Sequence, residues 1–165
     1  MVDFWGVVLG GAVTLIGSIG VKWWDEWRQR RALRAAFGAE IEALINIVEI
    51  RKHEARAQEW LAKWRKGEDY VPKMYGFDGA KMYEDPVYRS NLDKIGMLGA
   101  EAADAVQFYT NMIACRVNLR VFVTGEVKDF SIGKRIEWVE SLLAVWQPTK
   151  ALGLSLVKRL SSRWA

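Results

Sequence analysis

The stretch of sequence from residue 4 to residue 21 reads FWGVVLGGAVTLIGSIGV, eighteen consecutive residues without a charge. An α-helix of that length covers about 27 Å, which matches the hydrocarbon core of a bilayer. The stretch begins directly after Asp3 and ends directly before Lys22. It therefore predicts a transmembrane anchor over residues 1–24, although its length alone also fits an apolar helix inside a globular core.

Tryptophans flank both ends of the predicted anchor, as in the aromatic belts of membrane interfaces. Arginines follow only its second end, and the positive-inside rule then places the N-terminus outside and everything after Lys22 in the cytoplasm. A cleavable signal peptide would need a basic region before the apolar run, whereas this chain begins Met1, Val2, Asp3. The predicted membrane-interface residues are Trp5, Trp23, Trp24, Trp27, Arg28, Arg30 and Arg31.

Small residues recur at every fourth position of the predicted anchor. This spacing lines one face of a helix and lets a second helix approach closely. Two interpretations stay open: the face mediates self-association or docking beside a larger membrane protein, or small residues are simply common in membrane helices. The residues of this predicted helix-association face are Gly6, Gly10, Thr14 and Ser18.

The remainder of the chain, residues 25–165, predicts an all-α cytoplasmic domain built as a bundle of three to four helices. Apolar residues at intervals of three and four run from Leu33 to Val48, in a helix expected to extend to about Arg65. Gly38 interrupts that pattern, so the anchor and the first bundle helix form either one rod or two pieces with a joint.

Three more helices are predicted further along the chain. A short one starts at Asp85, whose side chain is expected to cap it, and a longer one runs from Ala100 to about Val123. The last one follows a cap at Ser131 and is expected to end at Pro148, because proline breaks helices. The buried stripe of the longer helix is expected at Val106, Tyr109, Ile113 and Val117, with Cys115 on a different face.

Two segments differ from the helical pattern. Residues 66–85 combine several aromatic residues with Asp78 followed by Gly79, a dipeptide typical of hairpin turns, and predict a short aromatic hairpin loop. Residues 149–165 form a basic amphipathic tail. It fits an anionic membrane surface or, alternatively, a terminal helix that packs its leucines on the bundle, and the position of Trp164 distinguishes the two.

The composition excludes several classes of function. One cysteine, Cys115, and one histidine, His53, exclude a disulfide framework and a metal site built from several Cys or His ligands. Cys115 is expected to be a buried small hydrophobe and His53 to face solvent.

The net charge of +4 sits beside the anchor and near the C-terminus, with no nucleic-acid-binding signature. The carboxylates expected to be solvated are Glu40, Glu42, Glu101 and Asp104.

Four stretches carry a resemblance to known sequences. They are residues 10–17 with the tryptophan- and arginine-rich stretch behind them, the triplet 39–41, the segment 87–98, and the pair Phe108–Tyr109. Through them the chain resembles an uncharacterised group of bacterial single-pass membrane proteins with a small helical cytoplasmic domain. The resemblance implies the bacterial inner membrane and no activity. In the matched segment the candidates for a partner surface, or alternatively for fixing the short helix against the bundle, are Tyr88, Asn91 and Lys94.

Together these features predict a non-catalytic accessory or scaffold subunit that binds another inner-membrane protein or a copy of itself. Its expected partners are membrane lipid and that protein. No enzyme activity, cofactor, metal, nucleic acid or small-molecule substrate is predicted. The alternative is a membrane-active phage or toxin-type effector that oligomerises through its glycine-rich helix. An unrecognised hydrolase has only the length of the loop at residues 70–83 in its favour.

Overall fold

The computed structural model describes residues 4–72 and 84–162, with side chains from residue 19 onward. Over these residues the chain is an all-helical bundle, which confirms the predicted fold class at that level. Most of the predicted aromatic hairpin at 66–85 lies outside the described residues. The elements are α1 (Phe4–Ile50), α2 (His53–Arg65), α3 (Pro86–Ser90), a 3₁₀ segment (Leu92–Glu101), α4 (Ala102–Thr124), a 3₁₀ turn (Glu126–Asp129) and α5 (Ile132–Ser162).

α1 is one helix of 47 residues that joins the predicted anchor to the first bundle helix. Gly38 lies inside it without a break, so the chain forms a single rod rather than two pieces with a joint. The glycine faces α5: a Cβ built there would lie 3.7 Å from the Cβ of Leu160, an ordinary van der Waals contact.

The predicted membrane span concerns the first part of α1. Residues 4–18 carry most of that span, and their side chains lie outside the described residues. Among the residues that the structure describes, no helix is both long enough and apolar enough to cross a bilayer. The anchor therefore stays a prediction from the sequence.

The prediction of one helix reaching Arg65 is wrong. α1 ends at Ile50, and Lys52 adopts a left-handed backbone conformation with a φ of 53° before α2 begins. Residues 39–66 contain no glycine or proline, so the sequence holds no local signal for the break. After the break α2 continues along α5 in the direction of α1, because Glu54 contacts Gln147 and Arg65 pairs with Glu140. This buries Trp60, Leu61 and Trp64.

α5 is the central helix of the bundle and packs along α1, α4 and α2. Two apolar clusters fill the space between these helices. The larger one confirms the stripe predicted for α1, with Leu33, Phe37, Ile41, Leu44, Ile45 and Val48 all buried. The smaller one joins α2 to α4 and α5 around Trp60, Trp64, Phe122, Val127, Val139 and Leu143.

α4 buries a different face from the one predicted. Val106, Ile113 and Val117 are 40%, 45% and 61% exposed, although Tyr109 is buried as expected. A helix with apolar residues on more than one side gives two alternative stripes, and periodicity does not choose between them. The buried stripe includes Cys115 rather than placing it on another face. Its members are Ala105, Phe108, Tyr109, Met112, Cys115, Leu119 and Phe122.

α5 continues through Pro148, where a helix end was predicted. Proline lacks a backbone N–H, so the carbonyl of Ala144 loses its helical partner, and the exposure of Ala144 lets that carbonyl reach water. The hydroxyl of the buried Thr149 donates to the Val145 carbonyl at 2.6 Å in the same turn. The cap predicted at Ser131 is confirmed, because its Oγ accepts a backbone N–H at 3.4 Å.

The predicted tail, residues 149–165, is the second half of α5 as far as Ser162. Leu156 and Leu160 are buried in the larger apolar cluster, as the bundle-packing interpretation expected. Trp164, which was to distinguish the two interpretations, lies outside the described residues. The second half of α5 is therefore part of the bundle core.

Gly153 lies where α5 packs against α1 and α4. A Cβ built there would lie 2.6 Å from Phe108 Cε2 and 2.7 Å from Ile45 Cδ1. We expect Gly153→Ala to lower the free energy of unfolding by about 1–3 kcal/mol, because overpacking displaces well-packed neighbours. Gly133→Ala, on the same helix with no atom within 4 Å, is the control and should leave stability equal or slightly higher. Equal urea midpoints for both variants would contradict the close packing.

Candidate functional site

The residues that follow the charge-free run form an aromatic and basic collar on α1. Trp23 and Trp24 are 66% and 53% exposed, and the Trp24 ring stacks on Trp27 with centroids 5.1 Å apart. The Arg31 guanidinium lies 5.6 Å from the Trp27 ring centroid, a cation–π contact. Exposed indoles beside arginines are typical of membrane interfaces. The collar comprises Trp23, Trp24, Trp27, Arg28, Arg30 and Arg31.

The other predicted membrane residues lie at the start of α1. Their backbone belongs to that helix, and their side chains lie outside the described residues. The interface role of Trp5 and the helix-association face therefore stay predictions. That face comprises Gly6, Gly10, Thr14 and Ser18.

Arg34 follows the collar on α1 and ties three elements together. Its Nη1 donates to Glu101 Oε2 at 2.8 Å and to the Leu98 carbonyl at 3.0 Å. Its Nη2 donates to the Arg159 carbonyl at 3.0 Å. One planar guanidinium thus joins α1 to the 3₁₀ segment and to the last turns of α5. The expectation that Glu101 is solvated is wrong, since this residue is 4% exposed and faces Arg34.

Glu40 from α1 caps α3. Its Oε1 accepts from the Val87 amide at 2.7 Å, and its Oε2 accepts from the Tyr88 amide at 3.0 Å and from the Tyr109 hydroxyl at 2.6 Å. Amides in the first turn of a helix have no helical partner, so the carboxylate supplies one. Burial and the Glu40 carboxylate raise the pKa of the Tyr109 phenol, which keeps it a donor. The expectation that Glu40 is solvated is wrong.

The prediction that Asp85 caps α3 is also wrong, because its side chain makes no capping hydrogen bond. Its carboxylate is 1% exposed and lies 2.6 Å from Arg89 Nε and 3.1 Å from Arg116 Nη2. Pro86 occupies the first position of α3, as expected. Since Glu40 supplies the cap, Asp85 instead links α3 to α4 through Arg116.

Sequence reasoning missed Arg34 and Glu40 as buried residues, although the sequence holds a signal for both. Each lies three residues from Phe37, and Glu40 also lies four residues before Leu44, so both are in phase with the apolar stripe of α1. Charged residues are rarely fully buried unless they are paired. A charge in phase with a buried stripe therefore indicates an internal hydrogen-bonded group.

The candidate partner surface is exposed only in part. Tyr88 is half-buried and stacks on Tyr109 with ring centroids 4.0 Å apart. The Asn91 amide donates to the Val87 carbonyl at 2.8 Å. These contacts hold α3 and the residues after it in place, which fits the alternative interpretation of this segment. Lys94 is exposed and is the member of the set that a partner can reach.

His53 and Cys115 line one cavity of about 30 Å³, roughly the space of one water molecule. Burial raises the pKa of the Cys115 thiol to about 11, so the thiol is protonated near neutral pH and a poor nucleophile. The Trp146 indole lines the same cavity, and its Nε1 has no hydrogen-bond partner within the described residues. In the described part of the chain, no group of three or more His, Cys, Asp or Glu side chains could hold a metal ion.

His53 is 9% exposed, so the expectation that it faces solvent is wrong. Burial, with the charges of Arg51 and Arg56, lowers its pKa to about 4. The unfolded chain binds the same proton near pH 6.5, so the unfolded state holds more protons between pH 6.5 and pH 4, and stability falls as the pH drops through this window.

We therefore expect the free energy of unfolding to fall by about 2 kcal/mol more for the natural chain than for His53→Gln between pH 7 and pH 5. Urea unfolding of both proteins across this range measures the difference. Glutamine keeps a polar side chain but does not titrate, so carboxylates that titrate in the same range affect both proteins equally. Parallel pH profiles for the two proteins would contradict the lowered pKa of His53.

A second exposed apolar surface lies on α4. Its members are spaced at alternating intervals of three and four residues, the spacing of a helix–helix seam. No charged residue belongs to it, and each member is exposed. The α4 face comprises Ala103, Val106, Thr110, Ile113 and Val117.

Comparisons with known proteins give no match for this chain. No family model, no curated protein and no solved structure matched it.

Proposed function

We propose that this protein is a non-catalytic accessory or scaffold subunit of the bacterial inner membrane. Residues 1–24 anchor it with the N-terminus outside, and residues 25–165 form a cytoplasmic domain that binds another membrane protein or a second copy of the chain. The α4 face is the observation that carries the proposal, and the bacterial setting follows the resemblance described above.

The α4 face differs from the rest of the apolar surface of the bundle. The stripes of α1 and α2 are buried in the core, whereas Val106, Ile113 and Val117 stay 40%, 45% and 61% exposed. Contiguous exposed apolar surface marks interaction sites in folded proteins. Because the α4 face carries no charge, no charged group has to lose its water when this face is buried against another helix.

The anchor is supported by the order of residues along α1. A run of eighteen residues without a charge is followed by exposed indoles and then by arginines, the order expected at a cytoplasmic membrane interface. Ile19 and Val21 are 66% and 64% exposed, which gives the end of the run an apolar surface that no other described element covers. A bilayer would cover that surface.

The buried charges support a structural rather than a catalytic role. Arg34, Glu40 and Asp85 each contact groups of another helical element of the same bundle. These contacts use the charges to hold elements together. A buried charge is costly unless it is paired. These pairs therefore have a clear structural role in the bundle.

Membrane extraction tests the anchor. We expect the full chain to stay in the membrane fraction after alkaline carbonate treatment, and the double variant Leu9→Asp, Val13→Asp to be released, because each aspartate costs about 2.5–3.5 kcal/mol at the centre of a membrane helix. The control variant Leu9→Val, Val13→Leu keeps the run apolar and should stay bound. Release of the natural chain itself would contradict the anchor.

Cross-linking in intact membranes tests the α4 face. We expect a defined cross-linked species for the natural chain. The variant Val117→Glu should lose this species, because it places a charge in the α4 face. Gln107→Glu adds the same charge on the same helix beside the face and should keep the species. A cross-linked species that is equal in both variants, or missing from the natural chain, would contradict the proposed binding surface.

The effector alternative makes a different prediction in the same cells. A chain that oligomerises through Gly6, Gly10, Thr14 and Ser18 and permeabilises the bilayer should arrest growth when it is expressed. Gly10→Leu should then relieve the arrest, because a bulky residue blocks the close approach of two helices. Harmless expression of the natural chain favours the scaffold subunit.

A further inference from the structure

Exposed basic side chains from two separate elements lie at one end of the bundle. α1 contributes Arg28, Arg30 and Arg31, and the 3₁₀ segment contributes Lys94. These residues are far apart in the sequence, so only the fold brings them to the same end. We call this set, together with Lys22, the basic end of the bundle.

The contacts of Arg34 fix these elements side by side. This arginine lies three residues after the collar, and it donates to Leu98 in the 3₁₀ segment and to Arg159 at the end of α5. Gln29 of α1 and Lys94 line the same open groove, which places Lys94 next to the collar.

The distance of this end from the proposed membrane follows from the helix rise. Gln29 lies eight residues beyond Val21, the last residue of the charge-free run, or about 12 Å along α1. The headgroup layer occupies about 5–8 Å on each side of a bilayer. The basic end therefore lies within about 8 Å of the headgroups, the Debye length at physiological ionic strength, so salt screens its attraction to them only partly.

The balance of charge at this end is positive. Five exposed cations stand against three exposed carboxylates, because Arg34 and Arg159 face carboxylates of the bundle itself. The far end of the bundle differs, since the turn Glu126–Asp129 carries two carboxylates and one lysine. The three exposed carboxylates of the basic end are Asp25, Glu26 and Asp93.

We propose that the basic end is a docking surface for the anionic phospholipid headgroups of the membrane in which the chain is anchored. This inference rests on the proposed membrane anchor and adds a second, electrostatic contact that holds the whole domain against the bilayer. Its occupant is a layer of negatively charged headgroups, which polybasic segments next to a membrane attract. The domain then has one orientation relative to the membrane, with the far end of the bundle pointing away.

Lysine acetylation of the full chain in nanodiscs tests the docking surface. Discs of phosphatidylcholine alone are compared with discs of equal parts phosphatidylcholine and phosphatidylglycerol, and brief acetylation is quantified by mass spectrometry. We expect Lys94 to react about fivefold more slowly in the anionic discs, the effect of one cation near such a surface. Lys66 and Lys128, exposed at the other end, serve as internal controls and should react equally in both discs.

A charge-reversal variant provides a second measurement. Lys94→Glu should lose the lipid-dependent protection of segment 92–101 from hydrogen exchange, whereas Lys66→Glu should keep it. Equal Lys94 rates in both kinds of disc, with the chain inside both, would overturn the docking surface and leave the anchor intact. A chain that stays outside the discs would overturn the anchor and this inference together.

Discussion

Arg34→Met is expected to lower the free energy of unfolding by about 3–5 kcal/mol, the cost of removing one partner from a buried ion pair. The arginine is 5% exposed and lies 2.8 Å from the Glu101 carboxylate, which is itself 4% exposed. Methionine takes away the guanidinium that faces this carboxylate. It also removes the donors to the Leu98 and Arg159 carbonyls, which join α1 to two other elements.

Two further variants separate this effect from a general loss of packing. Arg34→Met, Glu101→Met removes both charges and should recover most of the loss, because a buried pair can be replaced by apolar side chains at little net cost. Arg65→Met breaks an ion pair of similar length whose arginine side chain is 58% exposed, and it should cost less than about 1 kcal/mol. Urea unfolding monitored by far-UV circular dichroism measures all four proteins. A similar loss in Arg34→Met and Arg65→Met would contradict the buried pair.

The sequence was sufficient where a helix has one apolar stripe. The pattern from Leu33 to Val48 predicted the buried apolar residues of this part of α1. It failed on α4, because Val106 and Phe108 belong to two different apolar stripes of the same helix. Which stripe is buried depends on where α5 lies, and that is a property of the packed bundle rather than of the local sequence.

Helix ends were the second source of error. No glycine or proline marks the turn after Ile50, while Pro148 lies inside a continuous helix. In both places packing outweighs local preference: the turn buries Trp60 and Trp64, and the helix after Pro148 buries Leu156 in the core. Where local and tertiary preferences agree, as at Ser131, the prediction is confirmed.

The polar part of the candidate site was harder to predict because the sequence does not show which charge meets which. Arg34 and Glu101 are 67 residues apart, and Glu40 reaches Val87 of α3 across 47 residues. Arg34 and Glu40 are in phase with the apolar stripe of α1, which indicates that both are buried. Only the fold identifies their partners. The collar, by contrast, depends on neighbours along one helix, and Trp23 and Trp24 are exposed where the sequence placed an interface.

Glu40→Ala is expected to cost about 3–5 kcal/mol, because its carboxylate accepts from two α3 amides and from the Tyr109 hydroxyl. Each buried donor left unsatisfied costs about 1–3 kcal/mol. Glu40→Gln keeps one oxygen acceptor but loses the charge, so it should cost less. Glu42→Ala, an exposed neighbour on the same helix, is the control and should change stability by less than about 0.5 kcal/mol.

The loss of the Glu40 cap should also be visible locally, in the hydrogen exchange of α3. The amides of Val87 and Tyr88 should exchange faster in Glu40→Ala and not in Glu42→Ala, because only Glu40 accepts from them. Tyr109→Phe removes the third donor, so the double variant Glu40→Ala, Tyr109→Phe should lose less stability than the two single losses added together. Exact additivity would mean that the Tyr109 hydroxyl does not depend on Glu40. Unchanged exchange at Val87 would mean that α3 holds its position without this carboxylate.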